Sequence, residues 1–155
     1  NYQLTPGIEL RTLETNGTGF VRMVTAAFRY FAQQKGGHLA VISSIAGTKG
    51  LGAAPAYSAT KRFQNTYIDA LEQLAHIQKL PIRFTDIRPG FVATGLLNDG
   101  KHYPMLMHTE KVARHIVHAL EKKKRIVVID WRYRILVALW RLIPPFLWKR
   151  LPVRN

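Results

Sequence analysis

Tyr57 and Lys61 stand four residues apart in a segment, Ala56 to Gln78, whose apolar residues fall in two neighbouring rows at helical spacing. On a helix that separation puts both side chains on one face, one turn apart. A cation about 4 Å from a phenol is worth roughly 4 kcal/mol at an effective dielectric near 20, which favours the deprotonated phenol and makes it a usable acid or base near neutrality. The spacing alone carries little weight, because six Tyr and ten Lys in 155 residues produce such a pair readily by chance. The surroundings add to it. Ser44 follows the short apolar run HLAVIS, thirteen residues before Tyr57; Asn16 lies in TNGTG; and Pro89, Gly90 and Thr94 belong to PGFVAT, just after the run IRFTDI. Taken singly, Ser44 reads as a polar strand terminus and Asn16 as a mid-helix residue bonding its own backbone.

The elements that must position these groups follow from periodicity. Apolar residues from Pro6 to Gln34 recur at intervals of three, four and seven, which predicts a long amphipathic helix ending at Gly36 and Gly37. His38 to Ser43 reads as a buried strand, Ala46 to Ala54 as a glycine-rich loop, and Pro55 suits the first turn of the helix that carries Tyr57. Ile82 to Ile87 is the next strand, Thr109 is placed to cap a helix through Leu120, and Arg125 to Ile129 is a third strand. Strands alternating with helices predict an α/β fold with a parallel sheet and crossover helices. Ligands of such sheets bind at the carboxyl ends of the strands, so Asn16, Ser44, Tyr57 with Lys61, and the Pro89–Thr94 stretch are all expected on one rim.

Composition bounds the rest. A chain of 155 residues with 47% apolar residues allows one globular domain and has the material for a packed core, at least as part of a larger unit. With no Cys, a disulfide framework, a thiolate nucleophile and Cys-based zinc sites are excluded. His115 and His118 share a helical face without an evident third ligand, so no metal site is expected. No run reaches the roughly 18 apolar residues that span a bilayer, and the start lacks a signal-peptide pattern, so the expected location is cytoplasmic.

With these motifs in order, the chain resembles the short-chain dehydrogenase/reductase family over about residues 6 to 130. The resemblance rests on Asn16 in the helix before the first strand, SSxAG at Ser43 to Gly47, YSATK at Tyr57 to Lys61, and PGxxxT at Pro89 to Thr94. It implies a Rossmann fold and an NAD(P)-dependent oxidoreductase acting on a carbonyl or alcohol. Tyr57 would give or take the proton, Ser44 hold the substrate carbonyl, Lys61 bind the nicotinamide ribose and assist Tyr57, and Asn16 support a relay water. Tyr57, Lys61, Pro89, Gly90, Val92 and Thr94 would contact the cofactor, with Thr94 and the Val92 backbone on the carboxamide. The family's first half, with its TGxxxGxG turn, is absent, so residues 1–130 read as the C-terminal half of the domain, expected to be inactive alone. GTKGLG at Gly47 to Gly52 is a decoy, because it lies in the Ser-to-Tyr loop and lacks its own strand and downstream acid. The cofactor is NAD or NADP, with the basic charge tilting the choice toward NADP.

Three further expectations concern partners. The family's long helices, here 6–34 and 56–78, imply a homo-oligomer, with Phe63, Tyr67, Ala70 and Leu74 as a candidate contact stripe beside ordinary core packing. Leu96, Leu97, Tyr103, Met105 and Met107 make the loop after Thr94 an apolar substrate lid, which suggests an apolar or lipid-like substrate. The net charge is +14, and residues 121 to 155 carry ten Lys and Arg against two acidic residues, mixed with aromatics. Residues 131–155 therefore read as a basic, aromatic tail that packs on a partner subunit or contacts an anionic membrane, the flanking charge favouring the membrane. A noncatalytic basic module for membrane or nucleic acid is the competing function. The ordered motifs speak against it, and make nucleic acid an unlikely partner.

Overall fold

The computed structural model describes residues 3–95, 103–151 and 153. It contains a three-stranded parallel sheet in the order β1 (Gly37–Ile42), β2 (Ile82–Arg88), β3 (Ile126–Val128). Helix α3 (Pro55–Ile77) crosses from β1 to β2, and α4 (Thr109–Glu121) from β2 to β3. Ahead of the sheet lie α1 (Pro6–Leu13) and α2 (Phe20–Gln33); after it come α5 (Trp131–Leu142) and the single turn α6 (Pro145–Trp148).

Side-chain alternation along the strands divides the core in two. Leu39 and Val41 of β1 and Ile82 and Phe84 of β2 pack against Val24 and Phe28 of α2 and Ile68, Leu71 and Ala75 of α3. Ile87 is an odd step from Phe84 and faces the other way. It joins Val112 and Ala119 of α4, Val127 of β3, and Tyr133 and Val137 of α5.

The helix expected over 6–34 does run to Gln33, but Glu14–Gly19 (ETNGTG) takes a wider π turn between α1 and α2. Two glycines in six residues weaken the α form there, and the inserted residue turns Asn16 toward α3. The start of α4 is also one residue off. His108, in extended conformation, is the N-cap, and Thr109 is the first helical residue, its hydroxyl donating to the Glu110 carboxylate. Glu9 of α1 accepts the Ala56 backbone N–H at 2.8 Å, placing a carboxylate at the positive end of α3.

The segment read as a tail folds back on the molecule. Asp130, at φ 72, caps α5 by accepting from the Arg132 backbone N–H, and its carboxyl is held below its ordinary value first by the Arg132 side-chain bonds. Tyr133 is 1% exposed, in core contact rather than against a partner. Its hydroxyl accepts from Phe91 N at 3.1 Å and donates to Pro104 O at 3.0 Å. Its ring covers Gly90 so closely that a Cβ there would lie 2.2 Å from the ring carbon Cζ. Gly90→Ala should therefore displace Tyr133 and lower the stability of the full-length protein by roughly 1–3 kcal/mol, as overpacking does. A reduced urea midpoint with an unchanged slope is the expected measurement.

Candidate active site

Because both crossovers return to the same end of the sheet, the segments after β1 and β2 meet above the first turns of α3. There they enclose a cavity of about 790 Å³ lined by Ser44, Tyr57, Lys61, Pro89, Gly90, Val92 and Thr94, with Tyr103 and Met105 on its far wall. Asn16 lies behind this wall rather than on it. Its Nδ2 donates to Thr60 Oγ1 at 3.2 Å, and Thr60 Oγ1 donates to the Tyr57 carbonyl at 3.0 Å. Met107, expected in the lid, is 3% exposed in the core instead. Its backbone exchanges bonds with Phe91 and Ala93, so the chain after the lid is tied down as a short parallel bridge to Val92. Leu96 and Leu97 fall outside the described residues.

The two neighbouring serines have different surroundings. Ser43 is buried in a charged cluster: its hydroxyl donates to Asp86, it accepts from Asn65 Nδ2 at 2.9 Å, and Asp86 also takes bonds from Asn65 at 2.9 Å and from Arg88 at 2.6 and 2.8 Å. Ser44 faces the cavity, accepts from Ala46 N at 3.1 Å to cap the turn Ile45–Thr48, and donates to Pro89 O at 3.4 Å. That turn presses on α3 at Gly47, where a Cβ would stand 2.5 Å from Asn65 Oδ1 and 2.8 Å from the Lys61 carbonyl carbon. The glycine of SSxAG is thus a position of close backbone approach between the turn after Ser44 and the helix that carries Tyr57.

Lys61 reaches back under Tyr57, its Nζ 5.6 Å from the ring centroid. Nζ donates to Ile42 O at 3.4 Å and to Gln64 Oε1 at 3.1 Å. Burial pulls its ammonium below its ordinary value, and the attraction of Asp86 opposes that. Gln64, 4% exposed, passes the connection on, its Nε2 donating to the Asn16 carbonyl at 2.9 Å. One lone pair of that carbonyl in the π turn is therefore engaged by Gln64, joining Asn16 to Lys61 through a side chain.

Gln64 has no family motif to mark it; its only sequence signal is a polar residue three positions after Lys61, on the same helical face. Phe91, Tyr133, Leu136, Trp140 and Val153 are among the residues that also line the cavity without a motif to mark them. Trp148 Nε1 donates to Gly50 O at 2.7 Å and Lys49 Nζ to Ile143 O at 2.8 Å, fastening the segment after α5 to the decoy loop. These contacts join positions more than ninety residues apart, which no local pattern announces.

A family model described as short chain dehydrogenase matches residues 7–103. Dehydrogenase/reductase SDR family member 7B of Bos taurus is 33% identical over 94% of this chain and 48% of its own length. An uncharacterized oxidoreductase of Myxococcus xanthus is 29% identical over 85% of this chain and 52% of its own. The chain thus spans about half the length of these relatives. Among solved structures, a short chain dehydrogenase from Burkholderia cenocepacia in complex with NADP superposes with a TM-score of 0.78 at 19% identity, covering 97% of this chain and 62% of that one. One from Sphingobium yanoikuyae in complex with NADPH gives 0.73 at 18% identity, over 99% and 61%.

The contrast between the serines is measurable by urea unfolding of the full-length protein. Ser43→Ala should cost about 1.5–3 kcal/mol, since it removes a bond to a buried carboxylate. Ser44→Ala, losing one turn-capping bond and a long contact, should cost less.

Proposed function

The chain belongs to the short-chain dehydrogenase/reductase family, and from that premise we propose that it carries the catalytic half of an NAD(P)-dependent oxidoreductase for an apolar carbonyl or alcohol. The observation that carries the reading is the convergence of Ser44, Tyr57 and Lys61 on a single cavity.

In the reducing direction, Ser44 Oγ donates a hydrogen bond to the substrate carbonyl oxygen and holds it beside the Tyr57 hydroxyl. As the carbon takes up hydride, negative charge builds on that oxygen, and Tyr57 transfers its proton there to give the alcohol. The Lys61 ammonium offsets the charge left on the phenolate. Gln64 and the Asn16 carbonyl keep Lys61 in place, and Thr60 keeps Asn16 in register with Tyr57. Oxidation of an alcohol runs the same transfers backwards.

The donor set of this cavity suits the nicotinamide end of a dinucleotide. Lys61 and Tyr57 offer polar groups to the ribose, and Thr94 and the Val92 backbone to the carboxamide. When bound, the nicotinamide supplies or accepts the hydride. The solved neighbours in complex with NADP and NADPH support such a cofactor, and the choice between NAD and NADP stays with the basic charge that tilts it toward NADP. Phe91, Tyr103, Met105, Leu136 and Trp140 make the remaining wall apolar, which supports an apolar substrate. A homo-oligomer through α1–α2 and α3 is part of this reading. Phe20, Phe63 and Tyr67 already pack on one another within the chain, while Phe63 and Leu74 keep exposed edges that a second copy would cover. A noncatalytic basic module accounts for the charge but not for this convergence.

In the full-length enzyme, Tyr57→Phe should lower turnover by roughly 10²- to 10⁴-fold while leaving cofactor affinity near its wild-type value. Steady-state kinetics with fluorescence titration of NADPH and NADH test this; retained turnover would refute the role of Tyr57. Across a carbonyl panel, turnover should favour long-chain over small charged compounds, and the opposite order would refute the apolar-substrate reading.

A further inference from the structure

Helix α5 is apolar on two opposite sides. Its inner side carries Tyr133 and Val137 into the core, and Leu136 and Trp140 onto the cavity wall. Its outer side carries Trp131, Ile135, Leu139 and Leu142 at intervals of four, four and three, a continuous stripe on the helix. These residues are 52 to 78% exposed, and beyond the Pro144–Pro145 break Phe146 and Leu147 of α6 are exposed as well. Helical spacing puts Arg134 and Arg141 along one border and Arg132 along the other. After Asp130 the sequence has six Lys and Arg and no acidic residue.

We propose that the outer face of α5 and α6 docks on an anionic phospholipid surface, with the stripe at the headgroup boundary and the flanking basic residues on lipid phosphates. The charge argues for this occupant. An apolar stripe bordered by Arg134 and Arg141, with Lys149 and Arg150 beyond it and no acidic residue after Asp130, fits a negatively charged surface, and of these residues Lys149 is of the type depleted from apolar contacts between proteins. Twelve residues of α5 are too few to cross a bilayer, and among the described residues no helix is long and apolar enough to do so. A nucleic acid fits less well. Stacking on bases needs free aromatic faces, and Trp140 and Trp148 are half-buried edge to face on one another, with the Trp148 N–H held by Gly50. The inference does not depend on the catalytic reading, because it concerns the side of α5 turned away from the cavity.

The test is flotation of the full-length protein with vesicles of phosphatidylcholine alone or with about a third phosphatidylserine, an anionic surface of the kind that attracts basic segments. Binding is expected on the anionic vesicles, weakening with added salt. Ile135→Asp with Leu139→Asp should reduce it roughly tenfold or more. A second variant, Arg141→Glu with Lys149→Glu and Arg150→Glu, leaves the apolar stripe untouched and should do the same. It keeps the proposal testable if the first variant unfolds, which circular dichroism would report. Equal binding by wild type and a folded variant would overturn the proposal, as would binding to neutral vesicles alone. So would an Ile135/Leu139 variant that loses an oligomer on sizing while the wild type ignores vesicles, which would assign the stripe to a second copy. Salt-sensitive retention of a single-stranded oligonucleotide without vesicle binding would likewise overturn it. Whether NADPH turnover of a soluble carbonyl is present or absent in these proteins bears on the catalytic reading alone.

Discussion

Asp86 is fully buried in the middle strand, and its carboxylate gathers Ser43 from the end of β1, Asn65 from α3 and Arg88 from β2 itself. A buried carboxylate of this kind costs several kcal/mol in lost hydration and is tolerated only where partners fill its lone pairs. That requirement acts as a constraint on geometry. The three partners must arrive together, so the end of β1, the third turn of α3 and the end of β2 cannot slide relative to one another. Ser44 is the next residue after Ser43, Lys61 lies one turn before Asn65, and Pro89 follows Arg88. The polar cluster under the cavity floor therefore positions the groups that line it, and its negative charge counters part of the desolvation of Lys61.

A second constraint reaches the site from the opposite side. The π turn at Glu14–Gly19 presents both the side chain and the carbonyl of Asn16 to α3, where Thr60 and Gln64 receive them. Gln64 donates to that carbonyl and accepts from Lys61, so through Gln64 the π turn restrains the Lys61 ammonium. The irregularity in α1–α2 and the orientation of Lys61 are thus parts of one hydrogen-bonded chain.

The third side of the cavity comes from α5. Gly90 admits the Tyr133 ring directly above the strand-to-loop turn; burial raises the Tyr133 hydroxyl above its ordinary value, and the hydroxyl donates to the Pro104 carbonyl. One phenol thereby joins the PGxxxT loop, the end of the lid and the last large helix. The same helix turns an apolar face outward, so the wall of the cavity and the outer surface are two sides of one element.

The sequence by itself determined the alternation of strands and helices, because apolar periodicity reflects which side chains must leave water. It also marked Ser44, Tyr57, Lys61 and the Pro89–Thr94 loop, because strand ends and a one-turn helical spacing are local properties, and Gly47 and Gly90 were legible as motif positions before the contacts that require them were seen. What only the tertiary structure decided depends on distant partners. The π turn needed α3 to receive the Asn16 carbonyl, and the role of Gln64 needed both Lys61 and Asn16 in place. Met107 reads as lid by composition but joins the core, because its backbone pairs with the segment after β2. Residues from Trp131 onward read as a tail, since two apolar faces on one short helix give no periodicity that says which face is buried. The ring of Tyr133 settles that by fitting the one position where Gly90 leaves room for it.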